Sequence, residues 1–513
     1  FPYTTLFRSG GKMQKIAIID IGSNSVRLVL FEIYKNHSFR VIDDIKESPR
    51  LGEGIFVEGL MKESNMDRAL EALKLFKSLC DHNEVDKILA FGTAAVRTAK
   101  NTSYFLDRVK KECDIDVSVL RGEDEARFSF YGAINSLDIK EGLLIDMGGA
   151  SCELVHFQNR EIKNSISLNF GSLSIMEEFG LKDSISEEKE KLLEESIEEQ
   201  FAKVLWLKEL KDIPLVGVGG TIRNLGKINM EKTKYPIPNL HNYYLAPQEL
   251  EGIYNLLKVK DLREKQKVEG LAKSRADIIS GASFVFSKLV KYANLSGVVI
   301  SGKGIREGFL YNYLTTRGKE IDDVFKYGLF NVCERYGISK EHGLEIYNTF
   351  SELFEKLKFL HKLEENEKIM KTMSYLCLSG VNVSYYDHDI HSFYMILNSR
   401  IDGITHKELL MTALAASQQN KRNTNYDKYK TILNEKDIYE INIYGLLISF
   451  AKTFNRLHGK EVSSFEIESV GDNLYMELTS KECIALEIKI AMDSAKRFEK
   501  LFGKRLFIQQ KEQ

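Results

Sequence analysis

Apolar and polar positions alternate with a period of two around one short motif that the chain uses twice. Residues 19–31 read I-D-I-G-S-N-S-V-R-L-V-L-F, and residues 145–157 read I-D-M-G-G-A-S-C-E-L-V-H-F. Each copy ends an apolar run on an Asp, passes through a Gly/Ser turn and continues into a second alternating run, which predicts a β-hairpin. The period lengthens to that of an amphipathic helix over residues 65–80. Strands are predicted at 86–91, 116–120 and 297–300, with another in the apolar run opening P-L-V-G-V-G-G-T-I-R-N-L at 214–225. Each runs through a turn into a helix, in G-T-A-A-V-R (92–97), R-G-E-D-E-A-R (121–127), G-V-G-G-T (217–221) and S-G-K-G-I-R-E-G (301–308). A charged, helix-rich stretch at 186–210 is expected outside the sheet. The alternation of strands and helices up to about residue 314 reads as α/β in two related halves. Residues 320 to about 457 carry helical spacing almost throughout. Period-two alternation returns in S-F-E-I-E-S-V-G-D-N-L-Y-M-E-L-T and A-L-E-I-K-I, followed by a helix at 494–502 and a last strand.

Bulk composition narrows the class. A chain of 513 residues exceeds a single core, so two to four domains are expected. With 72 basic and 74 acidic residues and a net charge of −2, it is not a general nucleic-acid binder, and any polyanion site must arise from local arrangement. No apolar run approaches the ~20 residues that span a bilayer. Six scattered cysteines without a C-x-x-C pair fit a reduced cytoplasmic protein and give no zinc signal. Residues 1–12 lack the apolar core of a secretion signal and precede Met13-Gln14-Lys15, so they are expected to be a non-native extension.

The turns carry the chemistry. Small residues at Gly22–Ser25 and Gly148–Ser151 leave backbone N–H groups free to converge on an anion. Asp20 and Asp146 stand beside these turns, and because carboxylate repels phosphate, the pairing points to a divalent cation between them. The Gly219-Gly220-Thr221 turn is a third cradle at a helix N-terminus. Arg97 reads either as a phosphate contact or as the surface Arg of an ordinary strand–helix turn. Glu123, Asp124 and Glu125 complement a helix dipole, and one of them can serve as a general base on water. Arg275 and Asp277 pair most simply with each other, and Lys303 and Arg306 are placed for an anion.

Together these motifs make the chain resemble the exopolyphosphatase / guanosine pentaphosphate phosphohydrolase (Ppx/GppA) family of the actin-like ATPase superfamily. The resemblance rests on the two hairpin motifs, G-T-A-A-V-R, G-E-D-E-A-R, G-V-G-G-T, R-A-D at 275–277 and S-G-K-G-I-R-E-G. It implies an α/β fold of two ribonuclease-H-like (actin-like) domains at 13–130 and 131–316. It further implies a degenerate all-α HD-like domain at 317–457, and a small α+β unit remains at 458–513. It implies a hydrolase that removes the terminal phosphate of inorganic polyphosphate or of guanosine pentaphosphate. Carried over, Glu125 is the catalytic glutamate, with Asp146 and Glu153 beside it, and Asp20, Asp146 and Glu153 surround Mg²⁺ or Mn²⁺. The phosphate-binding set is Gly22, Ser23, Asn24, Ser25, Arg97, Gly148, Gly149, Ala150, Ser151, Gly219, Gly220, Thr221 and Arg275. In the helical region His342 matches the family's early histidine, but Ser379-Gly380 stands at the central His-Asp position; the His388/Asp389/His391 cluster is therefore not expected to hold a second metal. A homodimer without nucleic-acid or membrane partners is expected. Polyphosphate is the first substrate choice and guanosine pentaphosphate the alternative. A low-turnover sensor is a further alternative, and an ATPase or sugar kinase is disfavoured by a water-activating Glu.

Overall fold

A computed structural model describes residues 13–34, 36–316, 321–418, 425–456 and 462–511. The expected extension at 1–12 lies outside the described residues. Two compact units divide the chain near residue 324.

The first unit begins with three antiparallel strands, β1 (Gln14–Ile21), β2 (Val26–Ile33) and β3 (Phe39–Glu47). The short α1 (Ile55–Glu58) and the long α2 (Glu63–His82) follow, then β4 (Lys87–Gly92), α3 (Ala94–Thr98), α4 (Thr102–Cys113), β5 (Val117–Val119) and α5 (Gly122–Ile134). The sheet order is β3-β2-β1-β4-β5. The pattern then repeats with β6 (Glu141–Met147), β7 (Cys152–Gln158) and β8 (Glu161–Leu168). Next come α6 (Ser172–Phe179), α7 (Glu187–Ala202), β9 (Leu215–Val218), α8 (Gly220–Thr233), β10 (Tyr243–Leu245) and α9 (Pro247–Lys258). This half closes with α10 (Leu262–Lys265), α11 (Ile279–Tyr292), β11 (Val298–Ile300) and α12 (Ile305–Thr315), in sheet order β10-β11-β9-β6-β7-β8.

The two halves repeat in register. β1 pairs β2 antiparallel and β4 parallel, as β6 pairs β7 and β9. The next strand pairs, β2–β3 and β7–β8, even shift register at equivalent places, between Leu30 and Phe31 in one and His156 and Phe157 in the other. The central strands are apolar on both faces, because helices cover both sides: Ile16–Ile19 and Leu143–Ile145 are fully buried. Helices α5 and α12 cross at backbone contact. A Cβ added at Gly132 would stand 2.0 Å from the Gly304 carbonyl oxygen, and one at Gly308 would stand 1.8 Å from that of Phe128.

The second unit starts with seven helices: α13 (Val324–Tyr336), α14 (Lys340–Lys356), α15 (Lys358–His361), α16 (Glu367–Leu376), α17 (His388–Asn398), α18 (His406–Ser417) and α19 (Glu435–Phe454). It closes with β12 (Ser464–Val470), β13 (Asn473–Thr479), α20 (Ala485–Met492), α21 (Ala495–Phe502) and β14 (Arg505–Gln510), in sheet order β12-β13-β14. The stretch A-L-E-I-K-I, expected as a strand, is the helix α20. Its buried positions, Ile484, Glu487 and Ala491, follow a helical spacing that a six-residue alternation hides. Among the described residues no helix is long and apolar enough to cross a membrane.

Candidate active site

Both hairpin turns close in the same way. The Gly22 amide donates to the Ser25 carbonyl at 3.0 Å, and the Gly148 amide to that of Ser151 at 2.9 Å. The two turns also approach one another, since a Cβ on Gly149 would lie 3.1 Å from the Ser23 Cβ. The expected cradles at Gly22–Ser25 and Gly148–Ser151 therefore line one cleft. Ser172 and Leu173, at the start of α6, donate backbone N–H groups to the Gly148 and Gly149 carbonyls and fix the second turn.

The third cradle meets the second hairpin directly. Gly219 has φ of 95°, a backbone region that glycine adopts readily, and a Cβ there would stand 2.9 Å from Asp146 Oδ1. Asp146 Oδ2 accepts a hydrogen bond from the Ser129 hydroxyl on α5. Arg275 lies on Gly220, where a Cβ would be 2.2 Å from its Nη2, and reaches Thr221 Oγ1 at 3.4 Å. The resemblance implies a phosphate contact for Arg275, and pairing with Asp277 is the simplest reading of the residues alone. Instead Arg50 lies 3.5 Å from Asp277, because the Arg275 guanidinium is turned to the cradle.

Four carboxylates converge here. Asp20 ends β1, and Asp146 occupies the matching place on β6. Burial raises the Asp20 carboxyl to about 6 against the nearby Arg306, with Asp146 raising it further. Asp146 is raised by burial, opposed by the Ser129 hydrogen bond. Glu125 is raised by burial despite its bond to Arg97, and Glu153 is raised by burial and by the Glu125 charge beside it. Glu125 sits in the first turn of α5, and Arg97 holds it while donating to the Leu120 carbonyl at 2.9 Å. Glu153, opposite Asp146 in the hairpin register, accepts from Ser167 Oγ at 2.9 Å.

A cationic wall faces these acids, and two of its members, Lys46 and Arg223, gave no signal in the sequence. Arg27 is the register partner of Asp20 and neighbours Lys46 across the strand pair. Its Nε donates to Asp44 at 2.5 Å. Arg306, only 7 % exposed, brings Nε to 3.8 Å from Asp20 and Nη1 to 3.9 Å from Asp44. Arg306 Nη1 makes no hydrogen bond. Arg223 donates to the Gly219 carbonyl at 2.9 Å, and burial and the charge of Arg306 lower it to about 10. Lys46 is lowered by partial desolvation and by Arg275, Arg27, Arg223 and Arg306. Only strand register and the meeting of the two halves assemble this wall, so no local motif announces it; for Arg306 the glycine-rich helix start was a signal. Lys303, expected beside Arg306 at an anion, instead donates to Tyr311 Oη at 2.9 Å and stacks over the Phe39 and Tyr311 rings.

Among the described residues no three His, Cys, Asp or Glu side chains are gathered as a metal ligand set. Glu153 is turned to Ser167, whereas Asp20 and Asp146 are buried close enough to raise the pKa of Asp20. Two neighbouring buried carboxylates suit Mg²⁺, which commonly keeps several waters and completes its shell with substrate phosphate. In the second unit, His342 Nδ1 lies 3.5 Å from Glu345, and His388 Nε2 lies 3.4 Å from the Lys452 ammonium. Ser379 and Gly380 lie in a short helical turn, Ser379–Asn382, where a Gly380 Cβ would sit 1.9 Å from the His388 carbonyl.

The fold is mixed α/β, with two repeated halves whose glycine-rich turns meet at one cleft. The profile of the Ppx/GppA phosphatase family matches residues 29–317, more than half of the 513 residues. That of Ppx/GppA phosphatase, domain III, matches 328–483. The chain belongs to the Ppx/GppA phosphatase family. It is 30 % identical over 298 residues to a bifunctional 3-dehydroquinate synthase/phosphatase of Fusobacterium nucleatum, covering 56 % of this chain and 44 % of that one. It is 26 % identical over 483 residues to a guanosine-5'-triphosphate,3'-diphosphate pyrophosphatase of Aeromonas hydrophila, covering 90 % and 92 % of the two chains. Among solved structures, an exopolyphosphatase from Cytophaga hutchinsonii superposes with a TM-score of 0.56 at 27 % identity, covering 60 % of this chain and all of that one. An Aquifex aeolicus family member superposes with a TM-score of 0.53 at 29 % identity over the same shares.

Proposed function

We propose that this enzyme is an exopolyphosphatase that releases the terminal phosphate of inorganic polyphosphate by metal-assisted attack of water. The observation that carries the reading is one cleft holding a buried glutamate, Glu125, beside the Asp20/Asp146 pair and five cations, Arg27, Lys46, Arg223, Arg275 and Arg306. A phosphoanhydride needs charge neutralisation and alignment more than a strong nucleophile. The wall and the three backbone cradles hold phosphates, and Glu125 accepts a proton from water at its carboxylate. Arg97, ion-paired with Glu125 in the free protein, would meet the terminal phosphate. Asp20 and Asp146, with Glu153 nearby, would hold Mg²⁺ or Mn²⁺, which would offset charge on the attacked phosphate.

Guanosine pentaphosphate is the second reading. It is favoured by the Aeromonas relative, which matches along 90 % of this chain and is named for a guanosine 5'-triphosphate,3'-diphosphate substrate. Phosphate release from long-chain polyphosphate, guanosine pentaphosphate and ATP, measured side by side, tests the assignment. Polyphosphate is expected to be turned over with the highest kcat/KM, and Glu125→Gln is expected to lower kcat about 10²-fold or more. A folded Glu125→Gln protein with wild-type turnover would overturn the reading, and a preference for pentaphosphate would select the second substrate.

A further inference from the structure

We propose that Ser129 is the positioning residue that presents Asp146 to the divalent cation; the inference rests on the metal-assisted reading above. Ser129 lies on α5 four residues after Glu125, so the two side chains share one helix face. It is 0 % exposed, and its hydroxyl donates to Asp146 Oδ2. A helical serine commonly returns its hydroxyl to a carbonyl one turn back. Ser374 on α16 does so, donating to the Met370 carbonyl at 2.8 Å. Ser129 instead donates to Asp146 on β6, a strand that shares a buried core with α5.

That bond fixes which oxygen faces the cleft. Oδ2 is held by Ser129, while Oδ1 lies against Gly219, where a Cβ would stand 2.9 Å away. Oδ1 therefore opens onto the glycine cradle. The donor itself cannot drift, because α5 is wedged on α12 at Gly132 and Gly308. One rigid helix thus carries both the water-activating carboxylate and the group that orients a metal-facing carboxylate. A shift of α5 moves both together. Partners of this kind typically change metal affinity 10–100-fold when removed, with the ligands themselves intact.

The test is calorimetric titration of the substrate-free protein with Mn²⁺, alongside melting temperatures and kinetics. Ser129→Ala is expected to melt within a few degrees of wild type without the ion and to bind Mn²⁺ about tenfold more weakly or worse. Its kcat at saturating ion is expected to return to within about threefold of wild type, so the deficit appears in ion affinity rather than in the chemical step. Asp146→Asn is the control and is expected to lose Mn²⁺ binding. If Asp146→Asn loses binding while Ser129→Ala binds as wild type does, the positioning role is wrong and the metal site stands. If wild type binds no Mn²⁺, the metal-assisted reading falls and Ser129 with it.

Discussion

Glu125 and Glu153 are acids kept in surroundings that favour their neutral forms. Both are buried, both are raised from an ordinary value of 4.5, and Glu153 feels the charge of Glu125. Native protein therefore retains protons that the unfolded chain has already released, and stability falls as pH rises through that window. Without divalent cation, melting temperature is expected to decline between pH 4.5 and about 8, the span set by the two shifts. Glu125→Gln removes one of these protons and is expected to flatten the decline, which thermal scans across that range check. A Glu125→Gln profile as steep as that of wild type would contradict the assignment. From its local pattern Glu125 was one of three acids in a first helical turn, and the family resemblance singled it out. Lys46 and Arg223 were not legible, because each acquires its neighbours only when β1, β2 and β3 settle into register and the second half closes on the first.

Among the elements, α5 and α12 set the spacing of the cleft. The Gly308 Cα faces the Phe128 carbonyl so closely that a Cβ would stand 1.8 Å from its oxygen. Gly308→Ala has to push the helices apart, at a cost of about 3 kcal/mol or more. Its urea midpoint is expected to fall accordingly. Residual folded protein is expected to hydrolyse slowly, since Glu125 and Ser129 ride on α5 and Arg306 on α12. The glycines of S-G-K-G-I-R-E-G were readable as a turn and helix start, but not as a crossing point, because the partner helix lies far away in sequence. The same limit explains Lys303, whose ring partner Phe39 comes from β3. It also bears on residues 485–490, where too few positions separate a period of two from a helical one.

In the whole molecule, the duplicated half-folds were legible from the repeated I-D-[IM]-G motif, and the helical and terminal segments from their changed periodicity. The unit before residue 324 holds its own extensive core, including the fully buried Leu143, Ile145, Val285 and Phe286. The Cytophaga and Aquifex structures are covered completely by 60 % of this chain. Residues 13–324 made alone are expected to unfold in one cooperative transition and to cleave tripolyphosphate with kcat within about tenfold of the full chain, about 1.4 kcal/mol in barrier. Calorimetry and phosphate release decide this, and a fragment without a cooperative transition would refute it.

The two hairpins differ in one respect with a larger consequence. Where the first copy has Arg27 opposite Asp20, the second has Glu153 opposite Asp146. Around Arg27 gather Lys46, Arg223 and Arg306, while around Glu153 gather Glu125 and Ser167. The repeated hairpin has thus acquired unlike surroundings, with the buried acids Glu125 and Glu153 at one end and, at the other, a cationic cluster partly balanced by Asp20, Asp44 and Glu307. Phosphoryl transfer needs its entering and departing oxygens roughly in line and acquires negative charge on the departing one. Water activated at the acidic end and a shortened phosphate chain leaving toward the cationic end satisfy that geometry in one direction only. If the substrate is the polyphosphate proposed above, the cleft threads it by charge, end first.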